Sequence, residues 1–235
     1  MGAMVDLQKV SISEAVARLS RPFSLAVLAS VDDVVISVYI CQDTPGWHRH
    51  IDYDELFWAY EGTIVLESEW GNLALRPGEF AVVPKGVGHR SSSQTQASVL
   101  LLRCGVAPER KNGHRRLIAL AGEQRLQRLS VQEALAQCGR PLHFHTAGWI
   151  EEVALQVGSG EGAWPVEVPL PREMLFMVWE GSATLESALT EHETLHLNPG
   201  EMAAVQRGTV VRLSTAKNTT LVRLMRQTAP PHKAT

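Results

Sequence analysis

The chain repeats itself, and that limits what it can fold into more than any other feature of its sequence. Residues 11–22 laid over residues 130–141 match in Ser, Glu, Ala, Ala, Arg and Pro at a shift of 119 positions. The same shift carries Phe57 onto Phe176, Glu61-Gly62 onto Glu180-Gly181 and Leu66-Glu67-Ser68 onto Leu185-Glu186-Ser187. Past a three-residue insertion the shift becomes 122, which sets Pro77-Gly78-Glu79 on Pro199-Gly200-Glu201 and Gly86 on Gly208. So constant a shift implies two successive copies of about 100 residues, a usual size for one domain. The expected division is 1–108, a linker at 109–128, and 129–235.

Each copy opens on a short amphipathic pattern. Ile12, Ala15, Val16 and Leu19 recur at helical spacing, Ser11 or Ser13 can cap the start, and Pro22 ends the run. Strand-like segments follow at 34–40, 56–60, 63–66, 80–83 and 98–102, rich in β-branched and aromatic residues. Thr44-Pro45-Gly46, Glu61-Gly62, Gly71-Asn72 and Pro77-Gly78 supply turns between them. Many short strands separated by Gly and Pro turns predict an all-β protein, built as sandwiches or barrels.

Two motifs in the first copy carry chemistry. One runs His48, His50, four residues, Glu55, six residues, Gly62; the other runs Gly78, five residues, Pro84, Gly86, two residues, His89. Histidines two apart on a strand share a face, so His48 and His50 are expected to converge inside a barrel. Glu55 follows the next turn, and Pro84 and Gly86 shape a loop that delivers His89. Three imidazoles and a carboxylate suit one divalent transition metal per chain, with Fe, Mn, Ni, Zn, Cu and Co all open. In octahedral coordination four protein ligands leave two positions for water, substrate or dioxygen.

These motifs resemble the paired signatures of the cupin superfamily, HxHx4Ex6G and Gx5PxGx2H. The duplication extends the resemblance over nearly the whole chain, in the manner of the bicupins. Two positions depart from the pattern, Gln42 and Ser93, where glycine and asparagine are usual. The resemblance implies two tandem jelly-roll β-barrels, each preceded by a short helix, with His48, His50, Glu55 and His89 as ligands. It also implies a metal-dependent enzyme, most often a dioxygenase or isomerase, with a non-catalytic small-molecule binding or sensing module, or a vestigial site, as alternatives.

In the second copy the ligand positions read Glu167, Pro169, Met174 and Val211. That half is expected to bind no metal and to act as a packing partner. His143, His145, His192, His196, His114 and His232 fall outside the motifs and are expected to be structural or solvated. Strand parity puts Phe57 and Ala59 with Glu55, and Ser91 and Ser93 with His89, as the substrate pocket. It points Arg49 away, and no Arg or Lys is expected at the metal, Arg103 lying too far along the chain for parity to place it.

A net charge of -3 calls for no polyanionic partner such as nucleic acid. The run 108–128 is basic but has no aromatic residue to stack on a base. The longest apolar run, 25–29, is far too short to span a bilayer. Three widely spaced cysteines and the lack of an apolar leader fit a cytoplasmic protein. The expected partner is a small molecule, and homodimer formation stays open.

Overall fold

The computed structural model describes residues 7–104, 125–166, 169–187 and 194–227, so the expected linker lies mostly outside the described residues. Among the described residues the chain is all-β apart from two short helices, Ile12–Ala17 and Val131–Ala136, and no helix there is long and apolar enough to cross a membrane. Two compact units form. One takes Glu14–Leu28 and Asp33–Ser130, the other Met1–Ser13, Ala29–Asp32 and Val131–Thr235.

The sheet of the first unit runs Ala26–Val31, whose residues from Ala29 on fall in the other unit, then Val34–Asp43, His89–Cys104, Glu55–Glu61, Glu79–Val83 and Leu129–Ser130. The 16-residue strand His89–Cys104 serves two neighbours. Its second half pairs with Glu55–Glu61, while its first half pairs with Ile64–Ser68, which pairs in turn with Gly71–Leu75. Gly62 makes the corner between those two neighbours. Its φ is +73°, and a Cβ there would stand 2.9 Å from the Ala97 side chain. The inward faces enclose a core that includes Tyr39, Cys41, Phe57, Leu66, Val99 and Leu101.

The second unit has a six-stranded sheet, in the order Lys9–Ser11, Glu201–Val205, Met174–Glu180, Thr220–Arg226, Val153–Ser159 and His145–Ile150. A four-stranded sheet runs Gly162–Ala163, Val211–Thr215, Ala183–Ser187 and Thr194–Leu197. Backbone conformations repeat at the sequence shifts. Gly62 and Gly181, Gly78 and Gly200, and Gly86 and Gly208 are all left-handed, and so are the non-glycine pairs Phe23/Leu142 and Asp32/Glu151.

The segments ahead of the two helices are exchanged. Lys9–Ser11 pairs with Glu201–Ala203 and Leu7 enters the core of the second copy. Leu129–Ser130 pairs with Glu79–Phe80 and Leu126 enters the core of the first. Local patterning cannot choose a strand's partner, which is why the expected division at 1–108 differs from the units observed.

Other differences are local. The helix stops at Ala17, short of Leu19 and Pro22. Gly71 starts a strand, the turn lying at Glu69-Trp70, and the segment expected at 98–102 begins already at His89. No cysteine is in a disulfide.

Candidate metal centre

The four motif residues converge. One donor atom from each of His48, His50, Glu55 and His89 lies within 4.8 Å of the others, the one such cluster among the described residues. Glu55 and His89 are the buried first residues of their strands, whereas His50 is half-buried and His48 exposed.

His48 and His50 do not lie on a regular strand, contrary to the parity argument. His48 forms a lone bridge with His89, their amides and carbonyls exchanging bonds of 3.1 and 2.9 Å. The His50 carbonyl accepts from the Gly86 amide at 2.6 Å. Glu69 ties the two loops together, accepting from Arg49 at 2.8 Å and from the Gly88 amide at 2.8 Å. Arg49 is thus engaged by Glu69 rather than by the centre.

The imidazoles are oriented for ligation through Nε2. His89 donates Nδ1–H to the Val87 carbonyl at 2.9 Å, and His48 is placed to do so to the Gly46 carbonyl at 3.3 Å. His50 Nδ1 meets the Tyr53 hydroxyl at 2.8 Å. In the tautomers with Nδ1 protonated, each Nε2 lone pair is left for a metal, the usual outer support of a ligating histidine. The Nε2 atoms of His89 and His50 stand 2.9 and 3.3 Å from the same Glu55 oxygen. Three nitrogens and a carboxylate, so supported, fit a divalent transition metal.

Phe57 lines the centre, its ring 5.5 Å from that of His89, and Ala59 is buried behind it. Ser91 and Ser93 are buried on the inner face, with their hydroxyls engaged by the protein. Ser91 bonds Tyr39 at 2.8 Å, and Ser93 donates to the Thr63 carbonyl at 2.6 Å. Burial pushes the Cys41 thiol next to them up to about 11. Trp58 is buried against Phe80, while Trp47 is exposed with the Arg90 guanidinium 5.4 Å from its ring.

Two further residues stand at the centre, Arg103, which parity alone does not place, and Tyr53. Arg103 pairs directly with Glu55 across the sheet, so the two side chains share a face. Its positive charge bears on His50 and on the Tyr53 hydroxyl. No carboxylate lies within ion-pair distance of Arg103 among the described residues, so the expectation that no cation faces the centre is corrected. Parity counted from His89 does give this result; the missing signal was that one unbroken strand joins the two. Tyr53 had no motif to mark it. Burial, and then the Glu55 charge, raise its hydroxyl above the usual phenol range.

No protein-family model matches the chain. Over 97% of its length it superposes on 99% of a cupin 2 conserved barrel domain protein from Leptotrichia buccalis, with a TM-score of 0.68 at 8% identity. The fold is the cupin fold. The chain also superposes, over 95% of its length, on 85% of a salicylate 1,2-dioxygenase from Pseudaminobacter salicylatoxidans, with a TM-score of 0.67 at 15% identity. A Saccharolobus solfataricus protein provisionally named a dioxygenase is 27% identical over 60 residues. That match covers 26% of this chain and only 16% of the relative.

In the second unit Met174 and Val211 sit in the apolar core, Pro169 is exposed, and Glu167 lies outside the described residues. The Glu173 carboxylate accepts from the Asp32 amide at 2.7 Å. His145 meets Gln137 and His196 meets Thr184, while His143 is exposed. His114, His192 and His232 lie outside the described residues.

Metal affinity is expected to fall with pH. Burial, opposed by the Glu55 charge, holds the His50 pKa below its ordinary value, with His48, His89 and Arg103 also lowering it. A folded-state pKa below the unfolded one means the native protein takes up that proton less readily than the unfolded chain. Its contribution to stability is present above about pH 6.5 and is lost as pH falls. Protons also compete with metal for the three imidazoles, so occupancy declines over the same direction. An affinity that stays flat between about pH 8 and about pH 5 would contradict imidazole ligation.

Proposed function

We propose that the chain is a bicupin enzyme of dioxygenase type, acting on a small molecule at one divalent transition metal held by His48, His50, Glu55 and His89. The convergence of those four donors within 4.8 Å is the observation that carries the reading. An intact donor set in one copy, beside apolar Met174 and Val211 at equivalent positions in the other, favours a site in use. Two dioxygenase-named proteins among the similar ones support the reaction type.

A bound metal would supply Lewis acidity at the centre, with redox capacity as well for every candidate but zinc. The chain's own residues do the positioning. Phe57 presents an apolar wall beside His89, and the Val87 carbonyl and Tyr53 hydroxyl hold the imidazole rings in place. Arg103, hydrogen-bonded to the Tyr53 hydroxyl and opposite Glu55 across the sheet, offers a cation suited to a carboxylate or another acidic group on the substrate.

The test is metal analysis of protein purified without oxygen, followed by oxygen uptake on a panel of small aromatic and aliphatic carboxylates. A redox-active metal with uptake that is lost on Glu55→Gln is expected. A redox-inert native metal with no uptake across the panel would overturn the dioxygenase reading in favour of an isomerase or a binding module.

A further inference from the structure

At the positions equivalent to Glu55 and His89 the second copy carries apolar Met174 and Val211, yet its interior holds polar groups elsewhere. In the first copy Ser37 pairs with Leu101, which pairs with Phe57. At the equivalent register of the second copy Gln156 pairs with Arg223, which pairs with Phe176. Leu221 and Met225, two residues to either side of Arg223, belong to the inner core together with Phe176, so Arg223 also faces inward. Simple erosion of a barrel replaces serine and leucine with other small or apolar groups. Here a cation and an amide have entered instead.

Arg223 is half-buried, and its surroundings supply no counter-charge. Nε and Nη2 both donate to the Gln156 side-chain oxygen, at 2.9 and 2.6 Å. Gln156 is itself held by the Thr146 hydroxyl at 3.1 Å. The guanidinium lies 4.0 Å from the centre of the Phe144 ring. Among the described residues no carboxylate pairs with it, and Nη1 makes no hydrogen bond. Burial alone pulls its pKa down to about 10, with no neighbouring acid to oppose that shift. A guanidinium drawn partly out of water gains from a counter-charge that meets it.

The remaining walls are aromatic. Trp164 stands 4.5 Å from Phe144, its indole N–H fixed on Thr215 at 2.9 Å. It packs on bare backbone, since a Cβ on Gly158 would come within 2.8 Å of its ring. Gln156 occupies one edge of the arginine fork and leaves the end-on edge, Nη1 with the second hydrogen of Nη2, free. That edge matches the two oxygens of a carboxylate.

We propose that the metal-free second barrel is a binding site for a small organic carboxylate, held end-on by Arg223 beside the rings of Phe144 and Trp164. The site is separate from the metal centre and does not depend on the reaction assigned there.

The experiment is calorimetric titration of benzoate into the full chain carrying His50→Ala, so that binding at the first barrel's metal does not contribute. One equivalent of benzoate is expected to bind, and Arg223→Met in the same background to weaken it at least about tenfold. Arg223→Lys keeps the charge but loses the fork, and is expected to fall between the two. Should Arg223→Met not fold, the arginine Nε–H resonances of the His50→Ala protein decide, since benzoate must shift one of them. The proposal is overturned if benzoate binding is not saturable or is as tight without Arg223. It is equally overturned if inorganic phosphate competes as well as benzoate, or if no arginine resonance moves.

Discussion

His50→Ala is expected to strip the protein of most of its metal and of any activity, while His143→Ala leaves metal content unchanged. Both residues belong to a His-x-His pair, so composition does not tell them apart. Position does. The His50 Nε2 stands 3.3 Å from Glu55, inside the four-donor cluster, whereas His143 is exposed ahead of the His145–Ile150 strand. A metal that binds only the folded chain stabilises it by mass action, about 2.7 kcal/mol when present at 100 times its dissociation constant. For a chain of this size that corresponds to a melting temperature lower by about 5 to 10 °C in His50→Ala. Elemental analysis and a thermal melt check both variants. Metal lost in His143→Ala and kept in His50→Ala would move the site out of the first barrel.

Cutting the chain between the copies is expected to leave the fragment of residues 1–114 mostly insoluble and poor in metal. The exchanged arms give the reason. The cut removes Leu126, buried in the core of the first copy, and the Leu129–Ser130 strand that covers Glu79–Phe80. It also strands Leu7, whose buried position is in the core of the second copy. Losing one buried leucine side chain costs about 2–5 kcal/mol, and an uncovered strand edge invites association. A fragment ending at residue 130 keeps Leu126 and the covering strand, and is expected to be the more soluble and the better metal binder. A 1–114 fragment that is soluble, monomeric and fully loaded would contradict the role given to the arm.

The first barrel's chemistry was legible in the sequence because its ligands are fixed at short spacings by turns that need particular residues. Gly62 and Gly86 take left-handed conformations, and Glu55 and His89 begin strands where the motifs put them. What escaped the sequence reading depends on pairing between distant segments. Arg103 reaches Glu55 only through the register of a strand that starts at His89. The arms around Leu7 and Leu126 carry nothing local that names their partner sheet. Parity misled once in detail: His48 and His50 converge through the bridge to His89 and the Gly86 amide, in a loop, and not through strand alternation. Arg223 looks like an ordinary basic residue in sequence, and only its register beside Gln156 and Phe176 turns it inward.

The most direct measurement is the metal content of the full chain after loosely bound ions are removed. One His48, His50, Glu55, His89 cluster, with Met174 and Val211 in the apolar core at the corresponding second-copy positions, predicts about one equivalent per chain. A value near two equivalents would mean that the second copy binds metal as well, and a value near zero under metal-replete purification would mean that the first does not.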